Sequence, residues 1–243
     1  MTSEQEFHIS PDADTLAASV ASRAFETLRA ALADRPVAHL VVTGGGILEK
    51  VLRALADPDA IDWSRVHVWW GDERFVAADS ADRNDLPAIA ALFDHVPAAL
   101  HRMPASGAEF GDDTEAAAAA YAQQLRGFAP DGADLPLLDV ALIGVGPDGH
   151  CCSLFPHHPG LSVTDRTVTA IHESPKPPPT RLSLTFPALD AVRELWFVVS
   201  GDGKADAVAK ALGGSPREQT PSGAPRGVDH TLWLLDRDAA GTL

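Results

Sequence analysis

The segment GVGPDGHCCSLFP, residues 144–156, concentrates residue types that can do chemistry. Glycine at 144, 146 and 149 marks backbone that must turn sharply or lie close to something else. His150 is an imidazole that, neutral near pH 7, can take a proton from water. Asp148 either fixes the tautomer of that imidazole or binds a substrate directly. Gly149 between them lets the chain turn so that both side chains converge. An Asx-type turn carrying an exposed histidine is the plainer reading of the same residues. No metal is expected. His150, Cys151, Cys152, His157 and His158 crowd together, but adjacent ligands suit one tetrahedral ion badly and no CxxC or HxxxH spacing occurs. The two cysteines are expected to pack as small apolar residues.

Four more stretches carry candidates. Thr43, Gly44, Gly45 and Gly46 follow an apolar run and open a helical pattern. Backbone N–H groups at such a turn, with the helix dipole, can hold a phosphate. The turn is neither a P-loop nor GxGxxG, and a simple tight turn is the alternative. In GDER, residues 71–74, Asp72 could act as acid, base or acceptor of a substrate hydroxyl, and Arg74 as an anion clamp. A surface ion cluster of Asp72, Glu73 and Arg74 is the commoner case. In SPKPPPTRLSLTF, residues 174–186, Lys176 and Arg181 flank three prolines that stiffen the loop, so two cations are placed at low entropic cost. In GDGK, residues 201–204, Lys204 falls in the first turn of a helix, where it opposes the macrodipole. A bound anion explains it better than helix stability does, and a solvated lysine is the default.

The elements that must position these residues alternate. FHIS (7–10) reads as a short strand. The next segment, 12–35, reads as an amphipathic helix, with Leu16, Val20, Ala24, Leu28 and Leu32 at four-residue spacing. Strands are expected at 37–43 and 65–72, with a helix from Ile47 between them: a βαβ unit, hence parallel strands. Helices follow at 82–93 and 112–128, and a strand at 137–144. After an irregular stretch come strands at 181–186, 194–200 and 231–236, with a helix at 203–212. The loops 174–180 and 213–227 are too short to be domain linkers. The expected fold is α/β: one doubly wound, mainly parallel sheet with helices on both faces, residues 1–243 forming a single domain. In such sheets ligands bind at the carboxyl ends of the strands, where these motifs cluster.

Composition narrows the partners. The formal net charge of −15 repels phosphate backbones, so neither nucleic acid nor an anionic membrane surface is expected as a partner. An anionic substrate would therefore need a local concentration of positive charge. No apolar run approaches the length that spans a bilayer, and the N-terminal residues do not read as a secretory signal. Two adjacent cysteines make no disulfide framework, which fits a reducing cytoplasm.

In combination, these motifs resemble the 6-phosphogluconolactonase family, which hydrolyses a sugar lactone in the pentose phosphate pathway. The resemblance runs nearly end to end: the TGG turn at 43–45, WGDERFV at 70–76 with Asn84, GVGPDGH and SLFP within 144–156, KPPPTRLSLTF at 176–186, GDGK at 201–204 and LWLLDRDAA at 232–240. It reaches, more distantly, glucosamine-6-phosphate deaminases of the same fold. In their pattern an acidic residue follows shortly after the histidine; here that segment reads SLFP, with Phe155 and no acid. The resemblance implies a Rossmann-like sugar-phosphate fold, a soluble carbohydrate-metabolism enzyme of the cytoplasm, monomeric or a small homo-oligomer, with no cofactor. The substrate implied is 6-phospho-D-glucono-1,5-lactone. His150, Asp148 and Asp72 take the catalytic positions. Thr43, Gly44, Gly45, Gly46, Arg74, Lys176, Arg181 and Lys204 take substrate and phosphate positions. Two departures stand out. The family turn reads SGGSTP or similar, whereas Gly46 and Ile47 supply no hydroxyl; and Cys151-Cys152 replaces the usual Thr-Ala.

Overall fold

A strand whose every residue is buried needs cover on both of its faces, and β2 and β6 below have that character. The computed structural model describes residues 5–107 and 109–243. In chain order its elements are β1 (Gln5–Ser10), α1 (Ala13–Asp34), β2 (Ala38–Val42), α2 (Gly46–Ala54), β3 (Val66–Trp70), β4 (Asp72–Arg74), α3 (Asp85–Ala88), β5 (Ala99–His101), α4 (Thr114–Arg126), β6 (Val140–Ile143), β7 (Val168–Ile171), β8 (Arg181–Leu184), α5 (Phe186–Leu189), β9 (Glu194–Val199), α6 (Ala205–Leu212) and β10 (His230–Asp236). Asp12 starts α1 by accepting a hydrogen bond from the Thr15 amide at 2.7 Å. Among the described residues no helix is long and apolar enough to cross a membrane.

Seven strands form one parallel sheet in the order β1-β10-β9-β6-β2-β3-β5. From β2 the chain winds outward through β3 to β5, then returns to β6 on the other side of β2. The strand order therefore reverses between β2 and β6, and the loops after those two strands part there. A crevice at such a switch point is the usual ligand site of a doubly wound sheet.

Two expectations about strands need correction. The strand expected at 65–72 stops at Trp70, and Asp72–Arg74 begins a second, three-stranded antiparallel sheet in the order β4-β8-β7. The run at 181–186 belongs to this small sheet, not the large one. Gly71 makes the transfer. Its N–H donates to Val42 O at 2.8 Å, finishing the main ladder, and its carbonyl accepts from Leu184 N at 2.8 Å, starting the other. A Cβ on Gly71 would lie 2.7 Å from the Thr43 methyl and 3.1 Å from Cys152 Sγ, so a larger residue has no room. Two short strands, β5 and β7, fall where none was expected. The helix expected at 82–93 is α-helical only over α3 and widens into a π turn, with Asp94 N donating to Ile89 O.

His39 and His67 lie near the starts of β2 and β3, and His101 at the end of β5. His39 and His101 stack on Trp69, His67 stacks on His101, and all three present their rings to Phe128 edge to face. His67 Nδ1 and His101 Nε2 are 2.8 Å apart and share a proton, and Trp69 Nε1 donates to His39 Nδ1.

Candidate active site

Thr43 sits at the switch point. Its Oγ1 accepts from the Gly144 amide at 3.0 Å, tying the loop after β2 to the loop after β6. Gly44 follows, where a Cβ would fall 2.1 Å from Asn84 Oδ1. The chain then enters α2 at Gly46, and the first N–H groups of a helix have no intrahelical acceptor. A cavity of about 690 Å³ opens above these turns. Thr43, Gly44, Gly45 and Gly46 form part of its wall, and Asp72, Arg74, His150, Lys176, Arg181 and Lys204 also line it.

The loop after β6 is a tight turn: Gly146 N donates to His150 O and Gly149 N to Gly146 O, both at 2.9 Å. A Cβ at Gly146 would lie 2.0 Å from His150 Nδ1 and 2.5 Å from Asp148 Oδ1. Glycine at 146 is what leaves room for the Asp–His pair. His150 Nδ1 lies 2.6 Å from Asp148 Oδ1. Burial pushes Asp148 up, but the hydrogen bonds and charges of His150 and Lys176 outweigh it and hold the carboxyl well below the usual range. An ionised Asp148 Oδ1 only accepts, so the shared proton belongs to His150 Nδ1, and Nε2 carries the lone pair, with no hydrogen-bond partner among the described residues. The Phe155 ring lies 4.5 Å from the imidazole, centroid to centroid. His150 lines the cavity, and Asp148 stands behind it.

The small sheet brings the other groups. Antiparallel pairing sets Asp72 opposite Ser183 and Arg74 opposite Arg181. Asp72 is buried, and its Oδ2 accepts from Ser153 Oγ at 2.7 Å. Arg74 Nη1 donates to Asn84 Oδ1 and to Asp82 O. Arg181, only 4% exposed, donates Nε to Pro178 O and Nη2 to Lys176 O and Pro177 O. Its guanidinium carbon stands 5.6 Å from the Phe155 ring centroid. Burial, and after it the charge of Arg74, push the Arg181 value down despite Asp72. Lys204 Nζ donates to Val145 O at 2.8 Å, and burial followed by the nearby Lys176 pushes its value down too. These cations are mutually unfavourable until an anion lies among them.

Each candidate from the sequence except Asp148 thus reaches the cavity wall, and Asp148 reaches it through His150. Lys176 is placed differently from a free cation: its Nζ is 3.0 Å from Asp148 Oδ1 and 3.2 Å from His150 Nδ1. Several residues escaped the sequence reading. Ser153 carries no signal of its own. Glu73 is no surface ion but fully buried, accepting from the backbone N–H of Arg74 and Asn84 at 2.7 Å and of Asp85 at 2.9 Å. Burial pushes Glu73 up to about 7, opposed by Arg83. Arg83 in turn binds Asp85 through Nε and Nη2. Cys151 and Cys152 are buried free thiols pushed up by burial, and Cys152 touches the cavity.

A switch-point cavity lined by His150, which Asp148 backs, and by Arg74, Arg181 and Lys204 combines an imidazole with cations able to hold an anion. The chain belongs to the glucosamine-6-phosphate isomerase/6-phosphogluconolactonase family, whose model matches residues 11–233. Within it, the chain is 48% identical over 239 residues to the 6-phosphogluconolactonase of Mycobacterium tuberculosis, covering 97% of each chain. It is 48% identical over 240 residues to that of Streptomyces coelicolor, covering 96% of this chain and 92% of the other. The crystal structure of the Thermotoga maritima 6-phosphogluconolactonase superposes with a TM-score of 0.83 at 25% identity, over 96% of this chain and all of that one.

Proposed function

We propose that this protein hydrolyses 6-phospho-D-glucono-1,5-lactone to 6-phospho-D-gluconate, the second step of the oxidative pentose phosphate pathway. The observation that carries the reading is His150, with Nδ1 held by Asp148 and Nε2 free, on the wall of a cavity that also presents Arg74, Arg181 and Lys204. The near-full-length likeness to lactonases of two other organisms supports it.

A lactone carbonyl is already electrophilic, so the reaction needs a positioned water, a base and a grip on the phosphate. His150 Nε2 removes a proton from the water attacking C1. The C1–ring oxygen bond then breaks, and the same proton passes to the leaving oxygen. Asp148 keeps Nδ1 protonated and stabilises the imidazolium that forms between the two steps. Arg181 and Lys204, with the N–H groups of residues 44–46, hold the phosphate. Arg74 stabilises the developing oxyanion. Asp72, fixed by Ser153, accepts hydrogen bonds from sugar hydroxyls. Against the deaminase reaction stands Phe155: it is fully buried against His150, where that reaction's pattern has an acid nearby. Two buried free thiols suit a reducing cytoplasm.

The test is disappearance of lactone generated in situ, measured against the spontaneous rate with EDTA present. Wild type should hydrolyse it rapidly, and His150→Ala should lose about 10²–10⁴ in kcat with product binding kept. Wild-type decay at the spontaneous rate, or an unchanged kcat in the variant, overturns the reading. Ammonia release from glucosamine 6-phosphate would be assayed next.

A further inference from the structure

The ammonium of Lys176 is committed to the catalytic pair. Its Nζ is 3.0 Å from Asp148 Oδ1, the same oxygen that lies 2.6 Å from His150 Nδ1, and 3.2 Å from that ring nitrogen. One carboxylate oxygen therefore accepts from two donors, an imidazole N–H and an ammonium. An ammonium has no lone pair to offer, so it cannot share the Nδ1 proton.

We propose that Lys176 is a positioning residue of the His150–Asp148 pair, acting on the reaction through His150 instead of gripping the phosphate. The proposal rests on the reading of His150 as the base. The ammonium keeps Asp148 ionised beside the ring, ready to hold Nδ1. Hydrogen bonding to Asp148 also limits how far the carboxylate can swing away from Nδ1.

The backbone around Lys176 is built to hold it there. Its carbonyl accepts from Ser174 Oγ at 3.0 Å and from Arg181 Nη2 at 3.1 Å, and its N–H donates to Ser174 Oγ at 3.3 Å. Ser174 N donates to Pro179 O at 2.9 Å, closing the loop on itself. Prolines 177–179 restrict what remains. The charged groups around the pair are Asp148 from its own loop, Lys176 from this one, Lys204 just before α6, which acts on Lys176 and Asp148, and Arg181 from β8 across the Phe155 ring. Arg181 and Lys204 remain to bind an anion, so the phosphate does not need Lys176.

The experiment compares wild type with Lys176→Met, which keeps the chain length and removes the charge, and Lys176→Arg, which restores it. Lys176→Gln serves if the methionine variant does not fold. Lactone hydrolysis is followed against pH, with inhibition by inorganic phosphate. The ring titration of His150 is followed by NMR in the unliganded protein. In Lys176→Met the acid limb of kcat and the NMR titration should both differ from those of wild type. At neutral pH kcat should fall roughly tenfold, while KM and phosphate inhibition change less than about twofold. Lys176→Arg should bring the acid limb back. A large rise in KM and in the phosphate inhibition constant, with an unmoved His150 titration, would make Lys176 a phosphate ligand and overturn the proposal. No change in any readout would also overturn it. The NMR arm needs no turnover: if wild type fails to hydrolyse lactone but the titration still moves, the pairing stands and the proposed reaction falls.

Discussion

Arg74 and Arg181 stand directly opposite one another in the antiparallel pairing of β4 and β8. Like charges at such positions repel, and each is held by neutral oxygens instead of a carboxylate: Arg74 by Asn84 and Asp82 O, Arg181 by three loop carbonyls. Asp72 and Glu73 offset part of that repulsion at Arg181, and an anion bound between the two guanidiniums would offset more. Arg181→Ala should raise KM and the phosphate inhibition constant about 10–100-fold, the size of a lost hydrogen bond to a charged group. Steady-state kinetics with phosphate as competitor checks this. Unchanged values for both would remove Arg181 from anion binding.

Gly146 makes a separate prediction. A methyl there would sit 2.0 Å from His150 Nδ1, so Gly146→Ala should push the imidazole off Asp148. Misplacement by about 1 Å costs on the order of 10²-fold in rate. We expect kcat to fall by at least that much while the protein stays folded, read by parallel kinetics and thermal unfolding. Wild-type kcat would mean that the 146–150 turn is not the reacting element.

Ser153 tests Asp72. Its hydroxyl is a donor to a buried carboxylate oxygen, at 2.7 Å. Ser153→Ala leaves that oxygen short of a donor and should cost about 1–3 kcal/mol of stability. It should also raise KM, because Asp72 is no longer fixed toward the substrate. Denaturant unfolding and KM together check it; a loss of stability with unaltered KM would leave Asp72 a purely structural role.

The histidine stack predicts acid sensitivity. Burial pushes His39 down to about 3 and His101 down to about 4, and pushes His67 down as well. The unfolded chain protonates these rings near the ordinary 6.5, while the folded protein keeps them neutral. Their contribution is thus whole above about pH 6.5 and is lost as pH falls toward the folded values, by at most about 1.4 kcal/mol per pH unit for each of His39 and His101. Glu73 runs the other way. Raised to about 7, it takes up its proton in the folded state first and stabilises as pH falls from there. Comparing variants cancels that term: His101→Asn should unfold with a pH slope between 6.5 and 4.5 shallower by about one ring's share. An identical slope would show that His101 does not titrate on unfolding.

Much of the frame was legible in the sequence. Strands β2, β6, β9 and β10 are apolar runs bounded by glycine, proline or charge, and α1 shows its buried stripe at four-residue spacing. The break at Gly71 was not, because GDER reads as a continuation of β3. The change of ladder is made by Leu184 N bonding to Gly71 O, and the glycine is required by Thr43 and Cys152, all distant in sequence. Strands β5 and β7 are too short, at three and four residues, to show a period. Residue types for the site were visible at positions 72, 74, 148, 150, 176, 181 and 204; their partners were not. Lys176 finds Asp148 across 28 positions, and Ser153 finds Asp72 across 81. Glu73 looked solvated because its acceptor role depends on backbone folded back from 84 and 85.

The two-sided bonding of Gly71 has a consequence for how such a molecule can change. The histidine turn hangs from the seven-stranded sheet, whereas Asp72, Arg74 and Arg181 travel on the three-stranded one. One residue, with its N–H in one ladder and its carbonyl in the other, is where the backbone passes between them. A shift of one sheet against the other would therefore change how far Arg74 and Arg181 stand from His150 and Lys204, so the way the two sheets meet sets the spacing of the whole site.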